Sequence, residues 1–418
     1  MILPTPRGAR LTGIDETVGS LLSAKAVRTR ARMIFDAGKL GKLAHFSLHL
    51  DKLPDCAVYV AETIRQNYPT LKVPPHSRWR HLDANGHRWA DRLGDRLSND
   101  DHERARQRIE LAVTSVLLDA GAGPQWKWRD PVTGRDFTRS EGLALASLEA
   151  FRDGVFSSDP ARPSRADAAG LSNVSAQRLA AAFQVRDDNP LLGLHGRITL
   201  MKRLGSAIGQ HTNVYGTSPR VGGLFDHLRA TARDSEVETS HILWLLLSTL
   251  GGVWPGRLVI DGVRLGDTWR HPAITVEGPT RGLMPFHKLS QWLAYSLIEP
   301  IDRGGLIVLN WDALTGLAEY RNGGLFIDMG VIVPRDPTLA ATPLTPGQEP
   351  IVEWRALTVA LLDEIAPLVR AELGVTAQQM PLASILEGGT WAAGRRIAKE
   401  KRADGGPPLN IVSDGTVF

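Results

Sequence analysis

The segment MPFHKLSQWLAYSLIEP contains polar, titratable side chains among aromatic and aliphatic residues. Its apolar residues follow helical spacing, so His287 and Lys288 are predicted at the amino-terminal end of a helix. Free N–H groups at a helix start attract anions, and this end could therefore bind a phosphate or a carboxylate. Gln291 lies one turn further along, where a buried amide must be hydrogen-bonded or functional.

A second group of chemically active residues lies in TGLAEYRNGGLFIDMGVIV and in GDTWRH upstream. The pattern predicts a chain break at Gly323-Gly324, with the polar residues gathered around it. An ion-pair network, with Glu319 bound to Arg321 or Lys288, would explain these side chains without a catalytic role. The group comprises Glu319, Tyr320, Arg321 and Asp328, with Asp267, Trp269 and His271 from the upstream motif.

Two further segments are rich in histidine. In HFSLH, His45 and His49 are one helical turn apart, a spacing compatible with a metal, but the glutamate of a metalloprotease motif is missing. We interpret them as a surface or core pair. The segment HSRWRHLDANGHRW could hold an anion or form a solvated basic loop. It clusters His76, Arg78, Arg80, His81 and His87 with two tryptophans.

Composition excludes several classes of protein. Lys and Arg total 49 against 45 Asp and Glu, and this net charge of +4 suits a small anionic ligand better than nucleic acid. The single cysteine, Cys56, supports neither an internal disulfide nor a thiolate metal site. No phosphate-binding P-loop motif or GxSxG motif occurs. We expect no cofactor, no metal and a cytoplasmic location.

Helical patterns dominate the chain and predict a mainly α, multi-helical body with a few short β-hairpins. A strand–helix alternation is missing, which disfavours a doubly wound fold. The apolar run Ile242–Leu250 is too short for a membrane span and predicts a buried helix. Other predicted helices are a core helix in ERARQRIELAVTSVLLDAG, one opened by Asp51 and Pro54, and one with Pro190 in its first turn.

Turn-rich segments divide the predicted helices. Asp261-Gly262 and Asp414-Gly415 are typical of tight hairpin turns. Residues 156–170 predict a linker between an amino-terminal helical region, 1–155, and a helical catalytic region, 171–418. Residues 334–350 hold five prolines and predict a long loop near the functional site.

Long motifs in this chain resemble the uracil catabolism protein 4 family. They include HSRWRH, SVLLDAGAGPQW, GDTWRHPA, PFHKLSQWLAYSLIEP, GLAEYRNGG and LEGGTWAAGRRIA, and the resemblance extends from about Leu21 to Phe418. It implies a place in pyrimidine breakdown, where uracil is taken up through a ribosylated pyrimidine, the ring is fragmented and urea is released.

PFHKLSQ, LTGLAEYR and EWRALTV are similar to segments of the queuosine-salvage nucleoside 5′-phosphate glycosidases, helical proteins related in shape to DNA glycosylases. Glu319 stands where that family has aspartate, and Asn322-Gly323-Gly324 replaces a proline-containing turn. The matching positions are Phe286, Lys288, Gln291, Glu319, Tyr320, Arg321, Glu353 and Arg355.

An N-glycosidase would use these residue types, because breaking a sugar C1–N bond builds positive charge on the sugar and negative charge on the leaving nitrogen. Glu319 or Asp267 could stabilise the cation and orient water, and Tyr320, His287 or His271 could donate the proton. A 5-phosphate could be bound by Lys288, Arg321 or the Arg395-Arg396 pair. The other expected substrate contacts are Phe286, Gln291, Trp269, His271, Asp328, Glu353 and Arg355.

The resulting hypothesis is hydrolysis of ribosylurea, taken as its 5-phosphate, to urea and ribose phosphate without a metal. A pyrimidine-ring-opening hydrolase and a non-catalytic nucleotide-binding partner of the pathway are the alternatives. Ring opening would be expected to need a hydrolytic metal, for which the histidine spacing and the single cysteine offer little. We expect a small-molecule ligand, with neither nucleic acid nor membrane as a partner.

Overall fold

Helices dominate the chain, as the sequence patterns predicted. The computed structural model describes residues 16–83, 88–119, 121–254 and 258–412. Its α-helices are α1 (Glu16–Gly19), α2 (Ala24–Lys39), α3 (Leu53–Asn67), α4 (Trp79–Leu82), α5 (Trp89–Leu93), α6 (Asp101–Leu117), α7 (Arg139–Arg152), α8 (Ala168–Ser172), α9 (Ala176–Ala182), α10 (Leu194–Gln210), α11 (Thr212–Tyr215), α12 (Gly223–Thr231), α13 (Thr239–Leu250), α14 (Lys288–Arg303), α15 (Tyr320–Asp328), α16 (Glu349–Leu373), α17 (Leu382–Ser384) and α18 (Trp391–Lys401).

The strands are short and pair two by two. They are β1 (Phe46–Leu48), β2 (Trp128–Arg129), β3 (Asp136–Phe137), β4 (Glu236–Glu238), β5 (Val259–Ile260), β6 (Val263–Arg264), β7 (Thr268–Arg270), β8 (Leu283–Pro285), β9 (Ile307–Leu309) and β10 (Ile332–Pro334). Four pairs are antiparallel: β1 with β10, β2 with β3, β5 with β6 and β7 with β8. The fifth pair, β4 with β9, is parallel. A π-helical segment, Ile385–Thr390, lies between α17 and α18.

The chain divides into two compact units that do not follow the expected ranges 1–155 and 171–418. The first unit contains the described parts of Ser77–Pro255 and Ser296–Leu309. The second contains the described parts of Leu11–His76, Gly256–Tyr295 and Asn310–Phe418. Each unit is therefore assembled from separate stretches of sequence, and the chain passes between them within α14. The predicted linker, 156–170, belongs to the first unit.

The first unit is built around apolar helices. The predicted core helix is α6: helical spacing places five apolar residues of its sequence on one stripe, and all five are buried (Ile109, Ala112, Val113, Val116 and Leu117). Helix α13 is buried along most of its length, as predicted from its uncharged sequence. Buried Glu110 accepts hydrogen bonds from the backbone N–H of Ala166 and from Arg220. This carboxylate thereby anchors Ala166, which lies within the segment that we predicted to be a linker.

The second unit is organised by the 25-residue helix α16, which packs against α2, α3 and α15. Helix α15 also packs against α18, and a side chain at Gly394 would collide with the carbonyl oxygen of Arg321. A Cβ at Gly323 would lie 2.6 Å from Thr358 Oγ1. The predicted break at Gly323-Gly324 is therefore wrong: both glycines are helical, and Gly323 allows a close approach between helices.

Other local patterns predicted two elements correctly and one incorrectly. Pro54 lies in the first turn of α3, and Asp261 and Gly262 have the positive φ angles of a tight hairpin turn, 49° and 79°. The prediction for Pro190 is wrong, because α10 begins only at Leu194. The side chain of Asn189 instead bonds the backbone of Lys127 and anchors the segment before Pro190.

Four other predictions concern a histidine pair, a long loop, a hairpin and a membrane-spanning helix. His45 and His49 flank strand β1, so the helical spacing we assumed for this pair is wrong. Residues 334–350 contain a 3-10 helix, Pro337–Ala340, followed by loop, and the hairpin expected at Asp414-Gly415 lies outside the described residues. None of the helices in the described part of the chain combines the length and apolar character that a bilayer crossing requires.

Candidate active site

Asp267 and Arg355 form a nearly buried ion pair in the second unit. The guanidinium nitrogens Nη1 and Nη2 of Arg355 donate to the two Asp267 oxygens, each at 2.8 Å. Trp269 Nε1 and the backbone N–H of Lys288 also donate to this carboxylate, at 2.7 and 3.1 Å. Burial acts to raise the pKa of Asp267, but Arg355 and the other donors outweigh it, so the pKa lies well below its usual value. Asp267 thus fixes the start of α14.

Phe286, Gln291 and Arg355 hold the loop that leads to Glu319. The Arg355 guanidinium lies 4.0 Å from the centroid of the Phe286 ring, and its Nε donates to the carbonyl of Ala318 at 3.3 Å. The Gln291 amide accepts from the N–H of Thr315 at 2.8 Å and donates to Thr315 Oγ1 at 2.7 Å. Two residues that match the glycosidase motifs, Gln291 and Arg355, therefore contact the chain just before the candidate carboxylate.

Glu319 is the N-cap of α15 and is only 7% exposed. The backbone N–H groups of Arg321 and Asn322 donate to its Oε2 and Oε1 at 2.8 and 2.6 Å. Each carboxylate oxygen has two lone pairs, so these two bonds leave acceptor capacity on both. Capping the helix and acting on a bound molecule are therefore compatible roles for this side chain.

The electrostatic surroundings of Glu319 include two basic side chains of the same unit. Burial raises the pKa of the Glu319 carboxyl above its ordinary value. The Lys288 ammonium is the strongest influence in the opposite direction, and His76 also acts to lower this pKa. Lys288 begins α14, as the sequence predicted, and its side chain is half-buried. A carboxylate, an ammonium and an imidazole are thus electrostatically coupled.

His76 is bound to a second carboxylate, Glu387. The distance from His76 Nδ1 to Glu387 Oε2 is 2.6 Å, and the two side chains are 7% and 12% exposed. The His76 ring stacks on Trp292 with 6.1 Å between centroids, and the Trp391 ring lies at 5.9 Å. A His–carboxylate pair held between two aromatic rings has a fixed orientation, which suits a group that transfers protons.

The two other predicted histidines are buried and contact other residues of the second unit. His287 is buried, and its Nε2 is 2.8 Å from the carbonyl oxygen of Leu21. Burial lowers the pKa of His287, which favours the neutral ring. His271 Nδ1 accepts from the N–H of Ala273, and its Nε2 lies 3.4 Å from Glu353 Oε2. The contact with Leu21 and the lowered pKa favour a structural role for His287 over proton donation.

The predicted phosphate-binding arginines have different surroundings. Arg395 stacks over the ring of Trp391 at 4.9 Å, and it is this tryptophan whose ring also approaches His76. Arg396 instead lies over the Tyr59 ring and pairs with Glu400 at 3.0 Å. The two neighbouring arginines therefore contact different residues. Arg321 covers the ring of Tyr320 at 4.8 Å and donates to the carbonyl of Gly405.

Asp328, predicted as a substrate contact, is held in a bidentate ion pair. Arg402 Nη1 and Nη2 donate to its two oxygens at 2.7 and 2.6 Å. This pair joins the carboxyl-terminal end of α15 to the residue that follows α18. The contact favours a structural role in holding these helices together.

Among the described residues, His45, Glu349 and Glu353 place potential metal-ligand atoms within 4.8 Å of one another. The oxygen Glu353 Oε1 accepts from the backbone N–H groups of His45 and Phe46, at 3.2 and 2.9 Å. His45 Nε2 lies 3.4 Å from Glu349 Oε1. These contacts pair the residues with one another, so the group is explained by ion pairs and backbone anchoring.

The rest of the histidine-rich segment is divided by the fold. Arg78 and Arg80 belong to the first unit, where they pair with Asp119 at 2.8 Å and Glu299 at 2.6 Å. His81 approaches Arg78, with 3.4 Å between His81 Nδ1 and Arg78 Nη1. His87 lies outside the described residues. Of the described residues in this cluster, His76 is the one that the second unit brings near Glu319.

Sequence reasoning had not assigned Glu387, Trp292 or Trp391 to the site, and it left His76 undecided between an anion site and a solvated loop. Glu387 lies in the predominantly apolar sequence ASILEGGTW, and a carboxylate in such surroundings must be paired or functional. That signal was present, but nothing local identifies a partner 311 residues away.

These features define a mainly helical protein whose candidate site combines a capping carboxylate, a lysine and a tryptophan-flanked His–Glu pair. The chain belongs to the DUF1688 family, described as proteins of unknown function, whose family model matches residues 20–418. It is 38% identical over 416 residues to "Protein urg3" of Schizosaccharomyces pombe, covering 96% of this chain and 99% of that protein. It is 36% identical over 440 residues to "Uracil catabolism protein 4" of Lachancea kluyveri, covering 97% and 100%.

Proposed function

We propose that this protein acts in uracil catabolism by hydrolysing the N-glycosidic bond of ribosylurea, taken as its 5-phosphate. The pathway is supported by the name of the Lachancea kluyveri relative, which aligns along nearly the whole chain. The reaction is supported by one observation above all. Glu319, a nearly buried carboxylate, retains acceptor capacity and is electrostatically coupled to Lys288 and His76.

In this proposal, Glu319 stabilises the positive charge that develops on the sugar. When the bond from ribose C1 to the urea nitrogen breaks, its electron pair goes to nitrogen and positive charge appears on the ring. An ionised Glu319 stabilises this charge and accepts a proton from the water that attacks C1. Lys288 helps to keep Glu319 ionised in its buried position, because its positive charge opposes the effect of burial on the pKa.

Asp267 is the weaker candidate for this catalytic role. Arg355, Trp269 and the N–H of Lys288 donate four hydrogen bonds to it, which matches the four lone-pair sites of a carboxylate. Its task in the proposal is positioning. It fixes Lys288 at the start of α14 and Arg355 against the backbone just before Glu319.

The phosphate is assigned to positively charged groups near Glu319 and His76. Lys288 is electrostatically coupled to the catalytic carboxylate, and Arg395 lies against Trp391 next to His76. Arg396 is the poorer choice, because its contacts are with Glu400 and the Tyr59 ring and not with the tryptophan that approaches His76. A phosphate bound by a lysine and an arginine gains charge-assisted hydrogen bonds, which would favour the phosphorylated substrate.

The test is direct incubation of the purified full chain with three compounds: ribosylurea 5-phosphate, unphosphorylated ribosylurea and uridine monophosphate. Urea is measured with a urease-coupled assay, and loss of the pyrimidine ring by absorbance near 260 nm. We expect urea from ribosylurea 5-phosphate, with a lower kcat/KM for the unphosphorylated compound.

Two results would contradict the proposal. Loss of uridine monophosphate absorbance without urea release from ribosylurea 5-phosphate would indicate a ring-opening hydrolase. Binding of a nucleotide in calorimetry, with no turnover of any of the three compounds, would indicate a non-catalytic partner of the pathway.

A further inference from the structure

We propose that His76 is the catalytic proton donor to the leaving urea nitrogen and that Glu387 is its positioning residue. The inference rests on the proposed N-glycosidase function and supplies the group that its chemistry still lacks. Urea is a poor leaving group as an anion, so the departing nitrogen needs a proton in the transition state. Neither residue was assigned to the site from the sequence.

The contact with Glu387 determines which nitrogen of His76 can exchange a proton. An ionised carboxylate can only accept a hydrogen bond, so the 2.6 Å contact assigns a proton to His76 Nδ1. Nε2 is then the ring nitrogen that gains or loses a proton. Carboxylate control of the imidazole tautomer and orientation is the arrangement used in the Ser-His-Asp triad.

Aromatic packing fixes the plane of the His76 ring. Trp292 stacks on it with an interplanar angle of 28°, and Trp391 approaches with an angle of 43°. The ring is therefore constrained by two tryptophans and by one hydrogen bond in its own plane. Such constraint leaves little rotational entropy to be lost when a substrate is bound.

The backbone that carries the pair is also fixed on both sides. The N–H of His76 donates to the carbonyl of Ala383 at 2.9 Å, and Ser384 Oγ donates to the carbonyl of Val73 at 2.9 Å. A Cβ at Gly388 would lie 2.8 Å from Val73 Cγ1, so the glycine permits close packing here. Glu387 lies within the π-helical segment, a geometry that often occurs at functional sites.

The proposed step balances its atoms and charges. His76 Nε2 transfers its proton to the urea nitrogen as the C1–N bond breaks and the bonding electron pair moves to that nitrogen. Water adds to C1 and gives a proton to Glu319, which leaves ribose phosphate and neutral urea. The proton on Glu319 then returns to His76 through solvent, so the net reaction consumes one water.

The experiment compares two leaving groups in wild-type protein and in variants. Ribosylurea 5-phosphate needs protonation of its leaving group, whereas the 4-nitrophenyl ribofuranoside 5-phosphate releases a stable phenolate and needs very little. His76→Asn is the principal variant. The asparagine amide can still donate a hydrogen bond to Glu387, but the substitution leaves no group in place of the proton-donating Nε2. Glu387→Gln is the second variant, and His45→Gln is a matched control in another His–Glu contact of the same unit.

We expect His76→Asn to lower kcat for ribosylurea 5-phosphate on the order of 100-fold or more, and for the nitrophenyl substrate by less than about tenfold. Glu387→Gln should also lower kcat more for ribosylurea 5-phosphate, by about tenfold, than for the nitrophenyl substrate. His45→Gln should retain the wild-type kcat for both substrates. Circular dichroism and thermal melting establish that the variants fold. If His76→Asn does not fold, Glu387→Gln alone decides the question.

Equal losses on both substrates would overturn the inference, because a merely structural residue does not distinguish leaving groups. Unchanged kcat in folded His76→Asn would overturn it as well. Both results leave the glycosidase proposal intact, since the wild-type protein still releases urea. A wild-type protein inactive on both substrates would overturn the proposed function, and the assignment of His76 with it.

Discussion

Replacing Glu319 by glutamine tests whether this carboxylate does chemistry or only caps a helix. Glutamine keeps the shape of the side chain and removes its charge. It also supplies one amide oxygen where glutamate supplies two, so one of the N–H groups of Arg321 and Asn322 loses its acceptor. The substitution therefore has a structural cost and a catalytic cost, which must be measured separately.

The structural cost is small. An N-cap substitution costs about 0.5–2 kcal/mol of the free energy of unfolding, and an unsatisfied N–H costs about 1–3 kcal/mol. Burial already disfavours the charged form of Glu319, as its raised pKa indicates, so removing the charge offsets part of this loss. We expect a net destabilisation of about 1 kcal/mol. The catalytic cost should be larger, at least 100-fold in kcat, which corresponds to about 2.7 kcal/mol of transition-state stabilisation.

Asp167 provides a matched control in the first unit. It is 6% exposed, caps α8, and accepts the backbone N–H groups of Gly170 and Ser158, each at 2.9 Å. Asp167→Asn should destabilise the protein at least as much, because folding lowers the pKa of Asp167 and no charge penalty is relieved, and it should leave kcat unchanged. For both variants, stability is measured by unfolding with urea as the denaturant. Activity is measured separately as the steady-state release of urea from ribosylurea 5-phosphate. Near-wild-type kcat in folded Glu319→Gln, or an equal loss of kcat in both variants, would refute the catalytic assignment.

Three further changes test the surrounding groups. Lys288→Met should raise KM for ribosylurea 5-phosphate at least about tenfold by removing a phosphate contact; it should also raise the pKa of Glu319, so the acid limb of the kcat/KM profile moves to higher pH. A collapse of kcat at unchanged KM would contradict this. Asp267→Asn should cost about 3–5 kcal/mol in urea unfolding, because Arg355 loses its buried partner. Since the pKa of Asp267 is lowered by folding, its contribution is present above the ordinary carboxyl pKa and is lost as pH falls below it; a pH-independent cost would argue against the ion pair. Exhaustive dialysis against a chelator should leave kcat unchanged, and loss of activity restored by zinc or manganese would contradict the metal-free mechanism.

Local sequence patterns were sufficient to predict a helix or a turn where nearby residues alone determine that element. The stripe of α6, the proline in the first turn of α3 and the Asp261-Gly262 turn all depend on residues a few positions apart. The position of Lys288 at the start of a helix could be predicted for the same reason. In each case, helical periodicity or a backbone φ preference determines the element without help from distant residues.

Patterns failed where distant parts of the chain override local preference. Two consecutive glycines usually favour a break, but Gly323 lies inside a helix because its lack of a side chain lets Trp354 and Thr358 approach. The sequence makes Asp267 a catalytic candidate. Only the fold shows that Asp267 is hydrogen-bonded to Arg355, which lies 88 residues later in the chain. The two units interleave along the chain, which no single composition boundary could have indicated.

The separation of His76 from Glu387 has a consequence for the protein during its synthesis. The two residues are 311 positions apart, and a ribosome adding about 5–20 residues per second needs roughly 15–60 s to pass from one to the other. Throughout that interval, the nascent His76 segment lacks Ala383 and Ser384, which later hold its backbone. Catalytic competence would therefore be acquired only when translation is nearly complete, and no amino-terminal fragment that stops before Glu387 could carry the activity.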